Sequence, residues 1–281
     1  MRSKWLCGWF VPALALLAGV TLVTLARDEH RQATTIRLFN GKDLSNFYTW
    51  LVDYHYEDPL RVFTVVDHID GGPAIRISGE QFGGLITKER YSDYHLIVEF
   101  RWGPVTWQPR ATRARDSGIL LHCQGPDGNS RPDFNGPWML SQECQIIEGG
   151  VGDFIMVRGY TKSGKVIVPS LTTTVSRDRD GEWVYDPNGQ ERKFEGGRIN
   201  WLARDSDWKD VLGFRGKRDV ESPFGKWTRL EVICQGDRIT NIVNGKVVNR
   251  AWNSSLTAGK ILFQSEGAEI YFRRIELKKL R

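Results

Sequence analysis

The chain is short of the residues and patterns on which several common chemistries depend. It has 4 cysteines in 281 residues, too few for a disulfide scaffold. None is spaced as Cys-x-x-Cys or as the Cys/His sets of a structural zinc site. It contains no Gly-x-Ser-x-Gly elbow, phosphate-binding loop, His-Glu-x-x-His or dinucleotide fingerprint, so the enzymes that advertise themselves by those motifs are not indicated. An excess of one charge is also missing: 39 basic residues stand against 34 acidic ones. Without a clustered basic face, that balance argues against a nucleic-acid partner. From Ile36 onward no stretch sustains a helical period, which removes the helical fold classes. What the chain does have is 11 tryptophans, 29 glycines and 40% hydrophobic residues, a composition for a globular protein rather than a disordered, collagen-like or polytopic membrane chain.

The first 26 residues stand apart. Arg2 and Lys4 are their only charges, and an apolar run follows from Trp5 through Leu14, Leu17, Val20 and Leu25. This reads as a signal peptide with small residues Thr24 and Ala26 before a mature start near Arg27, or as an uncleaved membrane anchor. Either reading makes the protein exported: periplasmic, secreted or anchored facing outward, with membrane contact only through this segment. Without it the net charge falls from +5 to +3.

The remainder alternates short β-type runs with Gly, Asn, Asp and Pro. Twelve strands are expected, at 61–66, 74–78, 84–87, 95–102, 118–123, 143–148, 171–175, 228–234, 238–243, 246–249, 260–264 and 269–277. So many short strands with turn signals between them predict an all-β, two-sheet sandwich or jelly roll. Asn244-Gly245 between two β-rich runs predicts a tight hairpin. Two stretches break the rhythm and are expected as loops: 104–115, and a long insertion at 177–222 carrying Trp183, Trp201 and Trp208. The arginine clusters at 113–115 and 215–218 read as solvated loop residues.

The segment Asp116 to Cys123 and the segment Glu143 to Glu148 carry the candidate chemistry. Alternation puts Asp116, Gly118, Leu120 and His122 on one face of the first strand, and Glu143, Gln145 and Ile147 on one face of the second. An antiparallel pairing with Cys123 opposite Cys144 then sets His122 opposite Gln145, with Glu143 one diagonal step away. In that register the two thiols meet on the other face, as a disulfide or as two small buried hydrophobes. Glu143 in an apolar strand is costly to bury without a partner, which marks it as a site residue. Tryptophan faces suit sugar rings, whereas core packing is the commoner role. Trp102 and Trp227 are expected in the core. Trp138, in a Gly/Pro loop just before Glu143, is expected at a pocket, with Trp201 and Trp208 as further candidates.

Several ordered motifs resemble the 3-keto-disaccharide hydrolase domain family. They are Leu38-Phe39-Asn40-Gly41-Lys42-Asp43-Leu44, Tyr91-Ser92-Asp93-Tyr94-His95-Leu96, Asp116-Ser117-Gly118-Ile119, Glu143-Cys144-Gln145-Ile146, Gly225-Lys226-Trp227, Val243-Asn244-Gly245-Lys246 and Gly259 to Gly267. The resemblance implies a concanavalin-A-like jelly-roll sandwich with a sugar ligand on one sheet face, and it places 177–222 outside the common core. Relatives often carry Asn at the position of Asp116, Arg at His122 and His at Asn241. The implied activity is hydrolysis or elimination of a 3-keto-glycoside, in which the ketone acidifies the proton on carbon 2 and its loss expels the substituent on carbon 1. That chemistry needs a base, a stabiliser of the enolate and an acid for the leaving oxygen. Glu143 or His122 is the expected base, while Gln145, Arg115 or a divalent metal is the expected stabiliser. The residues call for no particular cofactor, but His122 with Glu143 or Asp116 could hold a divalent metal.

Two other functions fit the same residues. A sugar-binding or adhesion domain needs the aromatic surface and no chemistry. A retaining glycosidase of the lichenase type would use Glu143 and Glu148, which reach one face only if a bulge lies between them.

Overall fold

The computed structural model describes Met1 and residues 35–280. The export segment expected at residues 1–26 lies outside the described residues, apart from Met1. The described chain is all-β. In order its strands are β1 (Thr35–Arg37), β2 (Phe47–Leu51), β3 (Phe63–Ile69), β4 (Gly72–Ile77), β5 (Gly83–Thr87) and β6 (Tyr94–Thr106). Next come β7 (Asp116–Gln124), β8 (Leu140–Ile147), β9 (Phe154–Val157), β10 (Gly159–Tyr160), β11 (Val166–Ile167), β12 (Ser170–Arg177) and β13 (Trp183–Tyr185). The last are β14 (Gln190–Glu195), β15 (Gly197–Ile199), β16 (Thr228–Gln235), β17 (Arg238–Val243), β18 (Lys246–Ala251), β19 (Lys260–Ser265) and β20 (Ala268–Lys279).

Two antiparallel sheets make the jelly-roll sandwich. The first runs β18-β17-β16-β6-β20-β4-β3 with β1 on β20, and the second runs β15-β9-β8-β7-β19-β5-β2. Alternate residues from each sheet meet in one core: Leu96, Val98 and Phe100 of β6 and Ile270 and Phe272 of β20 from the first, Ile119 of β7, Ile146 of β8 and Phe263 of β19 from the second. Burial of each such side chain contributes about 1.5–3 kcal/mol. The expected Asn244-Gly245 hairpin joins β17 to β18, with Val243 opposite Lys246. Both turn residues have positive φ, +47° and +80°, the backbone that a two-residue turn of this hand requires.

Strand β8 is buried along its whole length, and β7 except at Gln124. Each therefore has a second covered face, and polar residues on that face need partners or a ligand.

Two expectations about the chain path are corrected. The stretch 177–222 is not simply a loop. Strands β13 and β14 form a three-stranded sheet with β12, and β15 pairs with β9 at the edge of the second main sheet. Its Gly- and charge-rich sequence hides these strands because their outer faces are solvated, as in β14.

The register of β7 on β8 also differs. Cys144 lies opposite Ile119, not Cys123, and Glu143 lies opposite Leu120. A bulge between Leu121 and Gln124 carries His122 at φ +54°. It turns the His122 ring inward, 5.5 Å from the ring of buried Tyr94, and sends Cys123 to the outer face beside Leu120 and Leu262. Cys144 packs in the central core, so the two thiols are on opposite faces of the sheet and remain free, as does Cys234.

Candidate active site

The outer face of the second sheet gathers the polar residues. Pairing puts Gln145 opposite Gly118, and Gln264 of β19 reaches Gly118 from the other side, since Phe263 pairs with Ile119. A Cβ at Gly118 would stand 2.1 Å from Glu143 Oε1 and 2.5 Å from Gln264 Oε1. The missing side chain is therefore what lets a carboxyl and an amide lie across β7 from either flank.

Above this floor is a cavity of about 470 Å³. Glu143, Gln145, Gln264 and Glu266 line its base, with Trp138, Phe82, Ile155 and Val157 among its apolar walls. The ring centroids of Phe82 and Trp138 are 6.4 Å apart. Trp138 belongs to the connection between β7 and β8, which is anchored at both ends. Trp50 Nε1–H donates to the Gly136 carbonyl at 2.9 Å. Asn129 accepts from Leu140 N–H at 2.8 Å and donates to the Gln124 carbonyl at 3.1 Å.

Three carboxyls, Glu143 and Glu266 at this floor and Asp116 behind it, sense one another. Burial, reinforced by the charge of Asp116, pushes Glu143 up to about 8 against the pull of Arg198. Burial likewise pushes Asp116 up to about 7, opposed by Arg110 and Arg198. Glu266 is pushed well above the ordinary carboxylate range by burial and by the charges of Asp116 and Glu143. Desolvation outweighs the neighbouring guanidinium groups here, so near neutral pH these acids hold protons that exposed carboxyls would lose. Groups so poised can take up and return protons at working pH.

Several buried polar atoms have no protein partner. Gln145 Nε2 donates to Asp116 Oδ1 at 3.1 Å, which leaves Gln145 Oε1 open, as are Gln264 Oε1 and Trp138 Nε1. Gln145 lines the cavity with its Oε1 unpartnered and one of its two amide hydrogens held by Asp116. Asp116 does not line the cavity. It sits behind Gln145, ion-paired to Arg110 at 3.2 Å, and orients that amide.

The other expected site residues lie elsewhere. His122 is fully buried, and its Nδ1–H donates to the Leu256 carbonyl at 2.9 Å. Burial pushes it down to about 4, so it is a neutral core residue. Arg115 is no solvated loop residue: it is buried and bound to Glu148, Nη1 to Oε1 at 2.7 Å and backbone N–H to Oε2 at 3.0 Å. The pairing of β8 on β7 is regular from Glu143 to Ile147, so the bulge that would bring Glu143 and Glu148 to one face is not found between them. Trp201 is 2% exposed in the central core and donates to the Gly149 carbonyl. Trp208 donates to the Glu148 carbonyl and packs under Arg204, 4.2 Å from its guanidinium carbon. Among the described residues no group of three or more His, Cys, Asp or Glu is arranged to hold a metal ion. The proposed donor set does not fit one, because His122 faces the core while Glu143 faces the cavity.

Glu266 and Gln264 were not expected at the site. Their signal was the spacing in Gln264-Ser265-Glu266, which continues the β19 alternation past its end onto one face. Their partners on β7 lie some 140 positions away in sequence, too far for local pattern to suggest the pairing.

No curated protein matches the chain. Among solved structures it is similar to a candidate glycosyl hydrolase from Parabacteroides distasonis, with 17% identity, 88% of this chain and 94% of the other covered, and a TM-score of 0.47. A carbohydrate-binding module from Bacillus subtilis gives 12% identity, coverages of 77% and 92%, and a TM-score of 0.41. A β-glucanase from Bacillus licheniformis gives 12%, 89%, 100% and 0.40 in the same order. Resemblances this distant do not bear on the chemistry. A family model, by contrast, matches residues 34–278, a span that takes in both sheets and every residue of the cavity. The chain belongs to the 3-keto-alpha-glucoside-1,2-lyase-like domain family.

Proposed function

We propose that the cavity binds a 3-keto-glycoside and cleaves its bond at carbon 1 by elimination across carbons 1 and 2. The observation that carries this reading is the pair of acids lining one cavity, Glu143 and Glu266, both pushed above the ordinary carboxylate range by burial. Two carboxyls facing one cavity can supply the base and the acid that an elimination needs. Glu143, whose oxygen lies over Gly118 at the floor, takes the proton from carbon 2. The electron pair of that C–H bond becomes the second bond between carbons 1 and 2, and the bond from carbon 1 to the glycosidic oxygen breaks. Glu266, which burial and the charges of Asp116 and Glu143 keep protonated well above the ordinary carboxylate range, gives its proton to the departing oxygen. Water adding across the new double bond returns a 3-keto sugar and resets both carboxyls.

The remaining residues suit such a ligand. Trp138 Nε1–H is an unpartnered donor for a ketone or enolate oxygen, and the open carbonyls of Gln145 and Gln264 await hydroxyl hydrogens. A polyol supplies both, and leaving these atoms empty-handed costs about 1–3 kcal/mol each. The apolar segment at residues 1–26 supports work outside the cytoplasm.

The test is to incubate the domain with a 3-keto-α-glucoside, its unoxidised parent and a β-glucan, following product release and exchange of the carbon-2 hydrogen in deuterated water. Turnover and exchange of the keto sugar alone are expected. Cleavage of the glucan, or binding of the keto sugar without exchange, would sink the proposal.

A further inference from the structure

The arginines around the cavity fall into two groups. Those below and behind the floor are engaged: Arg110 with Asp116 and Asp210, Arg115 with Glu148, and Arg198 and Arg204 with Asp153. Arg131 and Arg158 also line the cavity, yet both are exposed and neither guanidinium has a carboxylate or other side-chain partner among the described residues. The charge that weighs most on both Glu143 and Glu266 is that of Asp116, and the arginines that weigh most are Arg198 on Glu143 and Arg110 and Arg198 on Glu266. Arg131 and Arg158 are therefore rim residues, out of strong contact with the floor acids.

Their placement on one rim is built in. Arg131 follows Asn129 by two residues, and Arg158 precedes Gly159. The two segments are fastened together there: Tyr160 N–H donates to the Asn129 carbonyl at 2.8 Å. A Cβ at Gly159 would stand 2.4 Å from Leu140 Cβ and 3.1 Å from Asn129 Nδ2. The closeness of that packing holds the start of β10 against the β7–β8 connection. Two cations from separate segments thus face one opening, above a floor whose acids burial favours in their uncharged form.

We infer that the cavity selects glycosides carrying an anionic group, a carboxylate, sulfate or phosphate ester, which Arg131 and Arg158 bind at the rim while the sugar ring occupies the floor. The inference rests on the proposed function for the identity of the ring, but not for the anion. Guanidinium groups bind such oxyanions through paired, charge-assisted hydrogen bonds. Partly exposed contacts of this kind give on the order of a tenfold gain in affinity, and salt weakens them.

The experiment measures equilibrium binding by calorimetry for two matched pairs of glycosides: phenyl against 4-sulfophenyl α-glucoside, and methyl α-glucoside against methyl α-glucuronoside. A preference of about tenfold for the anionic member of at least one pair is expected in dilute buffer, with a smaller preference at high salt. In the double variant Arg131→Gln/Arg158→Gln that ratio should fall close to one. Both positions are exposed, so folding is not at stake, and circular dichroism verifies it. Equal binding within both pairs overturns the inference, as does a preference that the double variant retains. Turnover of the 3-keto forms is recorded separately. An anion preference without any turnover removes the proposed reaction and leaves the rim assignment standing, and turnover without preference does the reverse.

Discussion

Two buried carboxylates stand near the same end of the second sheet and are treated in opposite ways. Asp153 has no exposed surface. It receives Arg198 Nε and Arg204 Nη1, each at 2.8 Å, and the Trp201 backbone N–H at 2.6 Å. Glu143, on β8, is buried almost as deeply, but no guanidinium pairs with it, and its oxygen lies across a glycine at the floor of a cavity. Burial alone does not distinguish a structural acid from a reactive one. The distinction is whether a guanidinium pairs with the acid, since a satisfied buried ion pair is fixed whereas an acid held without a cation is free to exchange a proton.

That contrast can be broken at its reactive end first. Glu143→Gln is expected to lower kcat on a 3-keto-glycoside by about 10³-fold, the loss of a general base, with no loss of folding stability. Wild-type rates in the variant would remove Glu143 from the chemistry. The same variant carries a pH signature. Folded Glu143 keeps its proton up to about 8, whereas an unfolded glutamate loses it near about 4.3. Its stabilising contribution is thus complete below the unfolded value and declines as pH rises toward 8. Denaturant titrations between those limits should show a falling unfolding free energy in the wild type and a flatter profile in the Gln variant. Parallel profiles would mean that the acid is ionised throughout.

The structural acid should answer differently. Asp153→Asn strands two guanidinium groups and is expected to cost about 3 kcal/mol of stability, read from the denaturation midpoint. If the variant instead folds normally and only loses turnover, Asp153 belongs with the reactive group and the contrast fails. A smaller effect is expected at the floor itself. Gly118→Ala forces Glu143 and Gln264 off their present positions, at a cost of about 1–3 kcal/mol that should appear together with reduced turnover. A fully active, fully stable alanine variant would show that the close approach across β7 does not matter.

Much of the sandwich was legible because its signals are local. The alternation in Leu96, Val98 and Phe100, the Asn244-Gly245 turn, and the placing of Glu143 and Gln145 on one face all follow from a period of two. What was not legible depended on contacts between distant segments. The register of β7 on β8 was set on the assumption that cysteines pair, while the core set it by burying Ile119 beside Cys144. The bulge at His122 reverses two side chains, and nothing in Leu121-His122-Cys123 announces a positive φ. Arg115 read as a solvated loop charge because its partner Glu148 is 33 positions away. Strands β13 to β15 were missed because a strand with one wet face and many charges looks like a loop.

The fastening between Asn129 and Tyr160 has a consequence for how such a domain can change over generations. The two arginines that it brings together are exposed, and replacements at surface positions of that kind typically shift stability by no more than about 0.5 kcal/mol. The floor has no such freedom, for Gly118, Glu143 and Gln264 occupy one another's space. Selection can therefore exchange the group read at the rim, one mutation at a time, without reopening the question of whether the chain folds or how the ring beneath is handled.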